Sequence, residues 1–246
     1  MDFEIDITLV AGARPDLLSK TLESFSANLF QNFTIRQVFA NIDPIFGGEA
    51  ERNDCVALVK EHFPDAIVFT PEKGSFGAAV KRLWEATSDV HVLHLEDDWL
   101  INDVLYPHQV FPHFAEDTGM IVLSPDNREK AGGDYLYITR RKRILGYEIY
   151  SRRVNAYGTS PRFIRSGLCR RYGQLLRPEM DPEKQVYKNK NRALARAHTP
   201  WKCRTLFTMQ NEPLITDIGR EWRAERDIIK LDKRGYAVWM QGGNKV

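Results

Sequence analysis

His91-Val92-Leu93-His94-Leu95-Glu96-Asp97-Asp98-Trp99 runs an apolar strand straight into three consecutive acids. Adjacent carboxylates repel one another, so their place at the end of a buried strand calls for a use. In an α/β sheet the carboxyl ends of the strands are where ligands bind. Divalent cations such as Mg²⁺ and Mn²⁺ take hard oxygen ligands and bridge to phosphates, which suits such a trio. The same acids also serve as helix caps and first-turn residues, so a purely structural use stands beside the metal reading.

Upstream of this stretch, strands alternate with helical segments. Phe3–Val10 reads as a buried strand and Ala11-Gly12-Ala13-Arg14-Pro15 as a turn. Residues 16–29 form a helix with Leu17, Leu18, Leu22 and Phe25 on one face. Further strands are expected at 33–42, 66–70 and 90–95, and helices at 51–63 and 78–87. This alternation predicts an α/β fold with a mostly parallel sheet and crossover helices. Downstream, 102–117 reads as helical and 120–123 as a strand. Residues 135–150 alternate in a hairpin-like way around the basic run Arg140-Arg141-Lys142-Arg143. A short strand and helix follow over 162–172, then a helix over 183–197, short strands at 204–209 and 214–217, and a final helix at 224–234. His91 and His94, three apart on a strand, point to opposite faces and read as packed core histidines rather than a shared metal site.

The chain has 246 residues, 43% hydrophobic and 28% charged, which is enough for a core without disulfide staples. Cys55, Cys169 and Cys203 are far apart and odd in number, which favours a reducing cytoplasm over secretion. The N-terminus is acidic and enters a strand at once, unlike a signal peptide. No apolar run approaches the roughly 20 residues of a membrane helix. The net charge of +2 hides a division. Residues 1–138 carry 10 Lys and Arg against 23 Asp and Glu, and residues 139–246 carry 25 against 10. Either the basic half meets something anionic, including a membrane surface touched peripherally, or the halves neutralise each other.

The order of signals resembles the GT-A nucleotide-sugar glycosyltransferases, most closely glycosyltransferase family two. Leu9–Leu18 has the shape of that family's first strand and Arg-Pro turn, and Asp43 stands where the family ends its second strand to meet the base. Lys73-Gly74-Ser75-Phe76-Gly77-Ala78-Ala79-Val80-Lys81 resembles its glycine-rich turn and helix, and Glu96-Asp97-Asp98 its DxD-type motif. The resemblance covers residues 5–100 well and the remainder in outline. It implies a single GT-A domain, Rossmann-like, with a nucleotide-sugar-binding half at 1–100 and an acceptor-binding half at 101–246. The implied activity is transfer of a hexosyl or related sugar from a UDP-, GDP- or dTDP-type donor, with inversion. The implied acceptor is a glycan or lipid-linked sugar, as in polysaccharide biosynthesis, and no nucleic-acid partner is expected.

Such a transfer needs the leaving diphosphate neutralised, the acceptor hydroxyl deprotonated and both partners held in line. The resemblance assigns Mn²⁺ or Mg²⁺ to Asp98 and, late in the chain, Asp217, which also reads as a turn or cap acid. It assigns donor contacts to Ala11, Gly12, Arg14, Asp43, Lys73, Gly77, Lys81, Glu96, Asp97 and Arg220, with Arg223 beside the last. The base falls to Asp181 or Glu183, between which the sequence does not choose; Asp181 before Pro182 is also a good helix N-cap. Trp99 either stacks on a sugar or fills the core. The runner-up readings are a sugar-phosphate nucleotidyltransferase, and a non-catalytic glycan- or nucleic-acid-binding module using the basic half.

Overall fold

Strand β1 (Glu4–Ala11) has seven of its eight residues buried, the pattern of a strand covered on both faces. In the computed structural model, which describes residues 4–125, 135–145, 147–233, 236–242 and 244–245, it lies inside the main sheet. The chain continues through α1 (Pro15–Asn28), β2 (Thr34–Ile42), α2 (Glu49–His62), β3 (Ile67–Phe69), α3 (Phe76–Ala86), β4 (His91–Glu96), β5 (Trp99–Ile101), α4 (Pro107–Val110) and β6 (Thr118–Leu123). It then forms a hairpin of β7 (Tyr137–Ile144) and β8 (Tyr147–Asn155), followed by β9 (Arg162–Ile164), α5 (Leu168–Leu175), α6 (Pro182–Tyr187) and α7 (Arg192–His198). The last elements are β10 (Lys202–Leu206), β11 (Ile215–Asp217), α8 (Gly219–Ala224), β12 (Ile228–Lys233), β13 (Tyr236–Gln241) and β14 (Asn244–Lys245).

Seven strands form the main sheet in the order β10-β6-β9-β4-β1-β2-β3. Its pairings are parallel except at β9, which runs antiparallel to both β4 and β6. Ile5, Ile7 and Leu9 join Leu18, Leu22 and Phe25 of α1 and Val59 of α2 in one apolar layer. Val92 and Val122 join Val80, Leu83 and Trp84 of α3 and Tyr172 of α5 in the other. The buried Asp6 between them is satisfied by the Arg36 guanidinium at 2.9 and 3.0 Å and by the backbone N–H of Ser88 at 2.8 Å. The winding goes outward from β1 to β2 and β3, then returns to place β4 on the other side of β1. That reversal is a topological switch point, and it opens a crevice at the carboxyl ends of β1 and β4.

Three expected helices differ. Over 102–117 only Pro107–Val110 and a 3₁₀ turn, Phe111–His113, are helical, because Pro112 blocks continuation. The helix expected at 183–197 is two, α6 and α7, parted at Asn189 (φ 50°) and restarted by Asn191, whose side chain accepts the Leu194 N–H at 3.1 Å. The helix expected at 224–234 is α8 ending at Ala224, a turn through Asp227 (φ 50°), and β12 paired antiparallel with β13. A short apolar run such as Ile228-Ile229-Lys230-Leu231 fits either period, and its strand partner comes only after it in the chain. Phe3 and Arg234, which end two of the expected elements, lie outside the described residues.

Candidate functional site

At the switch point lies a cleft of about 360 Å³. Ala11, Gly12 and Arg14 follow β1, Asp43 follows β2, and Glu96, Asp97 and Asp98 end and follow β4. Asp181 and Glu183 enter from the start of α6, and Asp217 and Arg220 from β11 and α8. Residues as far apart in the chain as Ala11 and Arg220 thus line one cavity.

Asp97 is spent on architecture. Its carboxylate accepts from Arg14 Nη2 at 2.5 Å, Arg14 Nε at 3.1 Å and the Gly12 N–H at 3.0 Å. Its backbone N–H donates to Val10 at 3.1 Å, and its carbonyl accepts from Thr21 Oγ1 at 2.9 Å. Arg14 lies between the rings of Phe46 and Trp222, 4.8 and 5.3 Å from its guanidinium carbon. Burial pulls the Arg14 pKa down, but Asp97 and Asp98 outweigh it and hold it above its ordinary value. Burial raises the Asp97 pKa in spite of Arg14. The Arg14 guanidinium lines the cleft turned into the acids.

Asp98 Oδ2 accepts from Arg223 Nη1 at 3.0 Å and from Arg14 Nη2 at 3.3 Å. The Asp98 carbonyl receives the Ile218 N–H at 3.0 Å, which ties α8 to the acidic motif. A Cβ on Gly219 would lie 2.0 Å from Asp98 Oδ2, so only glycine lets the chain pass there. Asp217 is opposite Trp99 in the antiparallel β5–β11 pair. Its carboxylate meets Arg220 Nε at 2.8 Å, and its pKa is raised by burial and then by Asp98. Among the described residues no group of three His, Cys, Asp or Glu side chains could hold a metal. The donor set nevertheless fits one, because divalent cations at phosphate sites are often held by one or two carboxylates and complete their shell from the phosphates. Seven carboxylates line the cleft against four Arg and Lys side chains, so a bound diphosphate would need added positive charge.

Burial pushes the Glu96 pKa up to about 8, with further increments from Asp98 and Glu183. Glu183 Oε1 accepts the Thr159 N–H at 3.1 Å, and no other hydrogen bond reaches this carboxylate among the described residues. Asp181 is differently placed. Its Oδ1 caps α6 by accepting the N–H of Glu183 and Lys184 at 3.0 and 3.2 Å, and its Oδ2 is 3.6 and 3.8 Å from Lys184 Nζ and Lys230 Nζ. Asp43 accepts from Asn41 Nδ2 at 2.8 Å and the Ser75 N–H at 3.0 Å, and burial raises its pKa.

Three expected donor contacts lie off the cleft. Lys73 is exposed on the loop before α3. Gly77 is buried against backbone, where a Cβ would come within 2.2 Å of the Met180 carbonyl oxygen. Lys81 bridges helices, bonding Glu85 at 2.7 Å and the Gly173 carbonyl at 2.9 Å. The glycine-rich turn thus packs α3 against the 178–180 segment instead of cradling a ligand. Conversely, Phe46, Lys230 and Trp239 line the cleft without having been singled out for it. Lys230 lies on β12, which was expected to be part of a helix, and Trp239 lies on its partner β13; the aliphatic residues around Lys230 were the one local signal. Trp99 lines the cleft at 7% exposure and also belongs to the core. His91 and His94 do part to opposite sides, His91 against Phe111 and Phe114 and His94 between Thr8 and Trp84.

A mostly parallel seven-stranded sheet flanked by helices, with its cleft at this switch point, is the GT-A glycosyltransferase-like fold. Residues 1–349 of TarS from S. aureus share it with a TM-score of 0.52 at 12% identity, over 90% of this chain and 62% of that one. The same fragment in complex with UDP gives 0.52 at 10% identity, over 87% and 60%. The mannosyltransferase PcManGT from Pyrobaculum calidifontis, in complex with GDP-Man and Mn²⁺, gives 0.54 at 9% identity, over 94% and 58%. This chain thus spans about three fifths of those chains, and at such identities the likeness is one of fold. No family model and no curated protein matches the sequence.

Among the described residues no helix is long and apolar enough to cross a membrane.

Proposed function

We propose that this chain is a metal-dependent glycosyltransferase that moves a hexosyl or related sugar from a nucleoside-diphosphate donor to a hydroxyl acceptor with inversion. The observation that carries the reading is the separation of duties within one cleft. Asp43, Asp98, Asp217 and Glu183 all line it, with Arg223 paired to Asp98 and Arg220 to Asp217. The neighbours bound to UDP and to GDP-Man with Mn²⁺ support the donor class by analogy of fold. Residues 1–100 then serve the donor, joined at its diphosphate by Asp217, Arg220 and Arg223, and the rest of 101–246 serves the acceptor, a glycan or lipid-linked sugar.

Asp43 accepts an N–H of the nucleobase, while the backbone at Ala11 and Gly12 allows close approach of the nucleoside. Arg220 and Arg223 meet the diphosphate, exchanging their present carboxylate partners for phosphate oxygens. A divalent cation held by Asp98 and Asp217 would supply Lewis-acid neutralisation of the leaving diphosphate. Glu183 is the base: its free oxygen takes the acceptor hydroxyl proton as the acceptor oxygen bonds the anomeric carbon and the bond to the diphosphate oxygen breaks. Asp181, whose carboxylate is committed to its cap and two lysines, positions α6. Burial, with Asp98 and Glu183 nearby, holds the Glu96 carboxyl above its ordinary range.

The test is thermal unfolding with UDP, GDP, CDP and dTDP, each with and without Mn²⁺, since a ligand that binds only the folded state raises its apparent stability. The expected result is a rise with one nucleotide that requires Mn²⁺ and disappears in Asp98→Asn. No rise with any nucleotide in either condition would overturn the reading.

A further inference from the structure

Half of the ten large hydrophobic side chains recorded as exposed among the described residues belong to one hairpin, β7–β8. They are Tyr137, Leu145, Tyr147, Ile149 and Tyr150. Leu145 at the turn is 93% exposed and Tyr147 beside it 78%. No other strand pairs with the hairpin among the described residues. A two-stranded sheet with bare apolar side chains is marginal in water and gains from being covered. The same segment, residues 137–155, carries six Arg and Lys and one acid, Glu148.

At the base of the hairpin lies a hollow of about 470 Å³ between β8 and α7. Arg153 lines it from the strand, and Arg192 and Arg196 from the helix. All three are exposed, and none is paired with a carboxylate among the described residues. An apolar, tyrosine-bearing tip thus continues into a cationic base.

We infer that this hairpin and hollow dock the protein on an anionic phospholipid surface. Leu145 and Tyr147 enter the interfacial region, where tyrosine is favoured with its ring in the acyl boundary and its hydroxyl in water. The arginines lie over the negative headgroups, each contributing on the order of 1 kcal/mol near such a surface. The aliphatic members of the patch, Leu145 and Ile149, select a bilayer over nucleic acid, which rewards aromatic stacking and leaves aliphatic side chains without a partner. The basic run disfavours pairing with a second copy, because it would bring like charges together. The hairpin is also tied to the cleft: four residues after Asn155 ends β8, the Thr159 N–H holds Glu183.

The experiment is co-sedimentation of the full chain with vesicles of phosphatidylcholine alone or with a third of phosphatidylglycerol, at low and high salt. Binding is expected only with the anionic vesicles and weakens as salt rises. Arg153→Ser/Arg192→Ser/Arg196→Ser should bind on the order of a hundredfold more weakly. Leu145→Ser/Tyr147→Ser should bind about tenfold more weakly at unchanged charge. Circular dichroism verifies that each variant is folded. Hydrogen exchange of the unaltered protein, independent of any variant, should show slowed exchange at 137–155 when anionic vesicles are added. Equal binding to neutral vesicles, undiminished binding by folded variants, protection elsewhere but not at the hairpin, or tighter binding to a single-stranded oligonucleotide than to vesicles would each overturn the assignment. None of these readouts requires glycosyl transfer, so the two proposals stand or fall separately.

Discussion

The wall of the cleft that carries Gly12, Asp43 and Asp97 hangs from β1, β2 and β4, three adjacent parallel strands of the main sheet. The wall that carries Glu183, Arg223 and Lys230 hangs from two six-residue helices and a hairpin outside the main sheet. On the first wall the charged groups are buried, Arg14 pairing directly with Asp97 and Asp43 held by Asn41 and the Ser75 N–H. On the second they are linked to the rest by single contacts, such as Thr159 to Glu183 and Arg223 to Asp98. Substitutions should therefore register as lost stability on the first wall and as lost chemistry on the second.

Asp97→Ala strikes the first wall hardest. It strands the Arg14 charge at 5% exposure, and breaking such a buried pair costs about 3–5 kcal/mol. Equilibrium denaturation in urea measures this, and a loss below 1 kcal/mol would erase the distinction between the walls. Glu183→Gln is the counterpart. Turnover should fall by roughly 10²–10⁴-fold, the usual worth of a general base, with the urea midpoint nearly unchanged. Retained turnover would remove Glu183 from the chemistry.

Gly77→Ala probes the seam between the walls. The new Cβ presses on the Met180 carbonyl, and relief should cost about 1–3 kcal/mol and shift α6. Unaltered stability together with weakened nucleotide binding would return Gly77 to a ligand-contacting role. The smallest effect concerns pH. Burial, assisted by Arg165, depresses the His91 pKa to about 4, against about 6.5 for a free histidine. Between these values the unfolded chain binds more protons, so stability is full above pH 6.5 and is lost as pH falls toward 4. In His91→Phe the loss between pH 6.5 and 4.5 should be smaller by about 1 kcal/mol. Parallel pH profiles for the two proteins would argue against a buried neutral His91.

The sheet through β4 was legible because each of its strands is a local apolar run and each of the first three is followed by a helix. The acids at its carboxyl edge were legible for the same reason: strand direction alone decides where they emerge. Two things were hidden. The pairing of Arg14 with Asp97 joins residues 83 apart and leaves no local trace, so both read as ligand contacts. The β12–β13 hairpin depends on a partner strand instead of a period, so Lys230 was placed on a helix and Trp239 beyond it was assigned to no element. Between Asp181 and Glu183 the spacing was silent, because a cap is recognised by what its oxygens already hold.

The three residues of β9 slot antiparallel between β4 and β6 and hydrogen-bond to both. Strands β3, β2, β1 and β4 are contiguous in sequence and can pair as the chain lengthens, but β6 and β10 have no place in the sheet until Arg162–Ile164 arrives. Until then β4 presents an unpaired edge. A ribosome-bound chain would hold a half-sheet with an open template for intermolecular pairing, closed by one short clasp that comes late in synthesis.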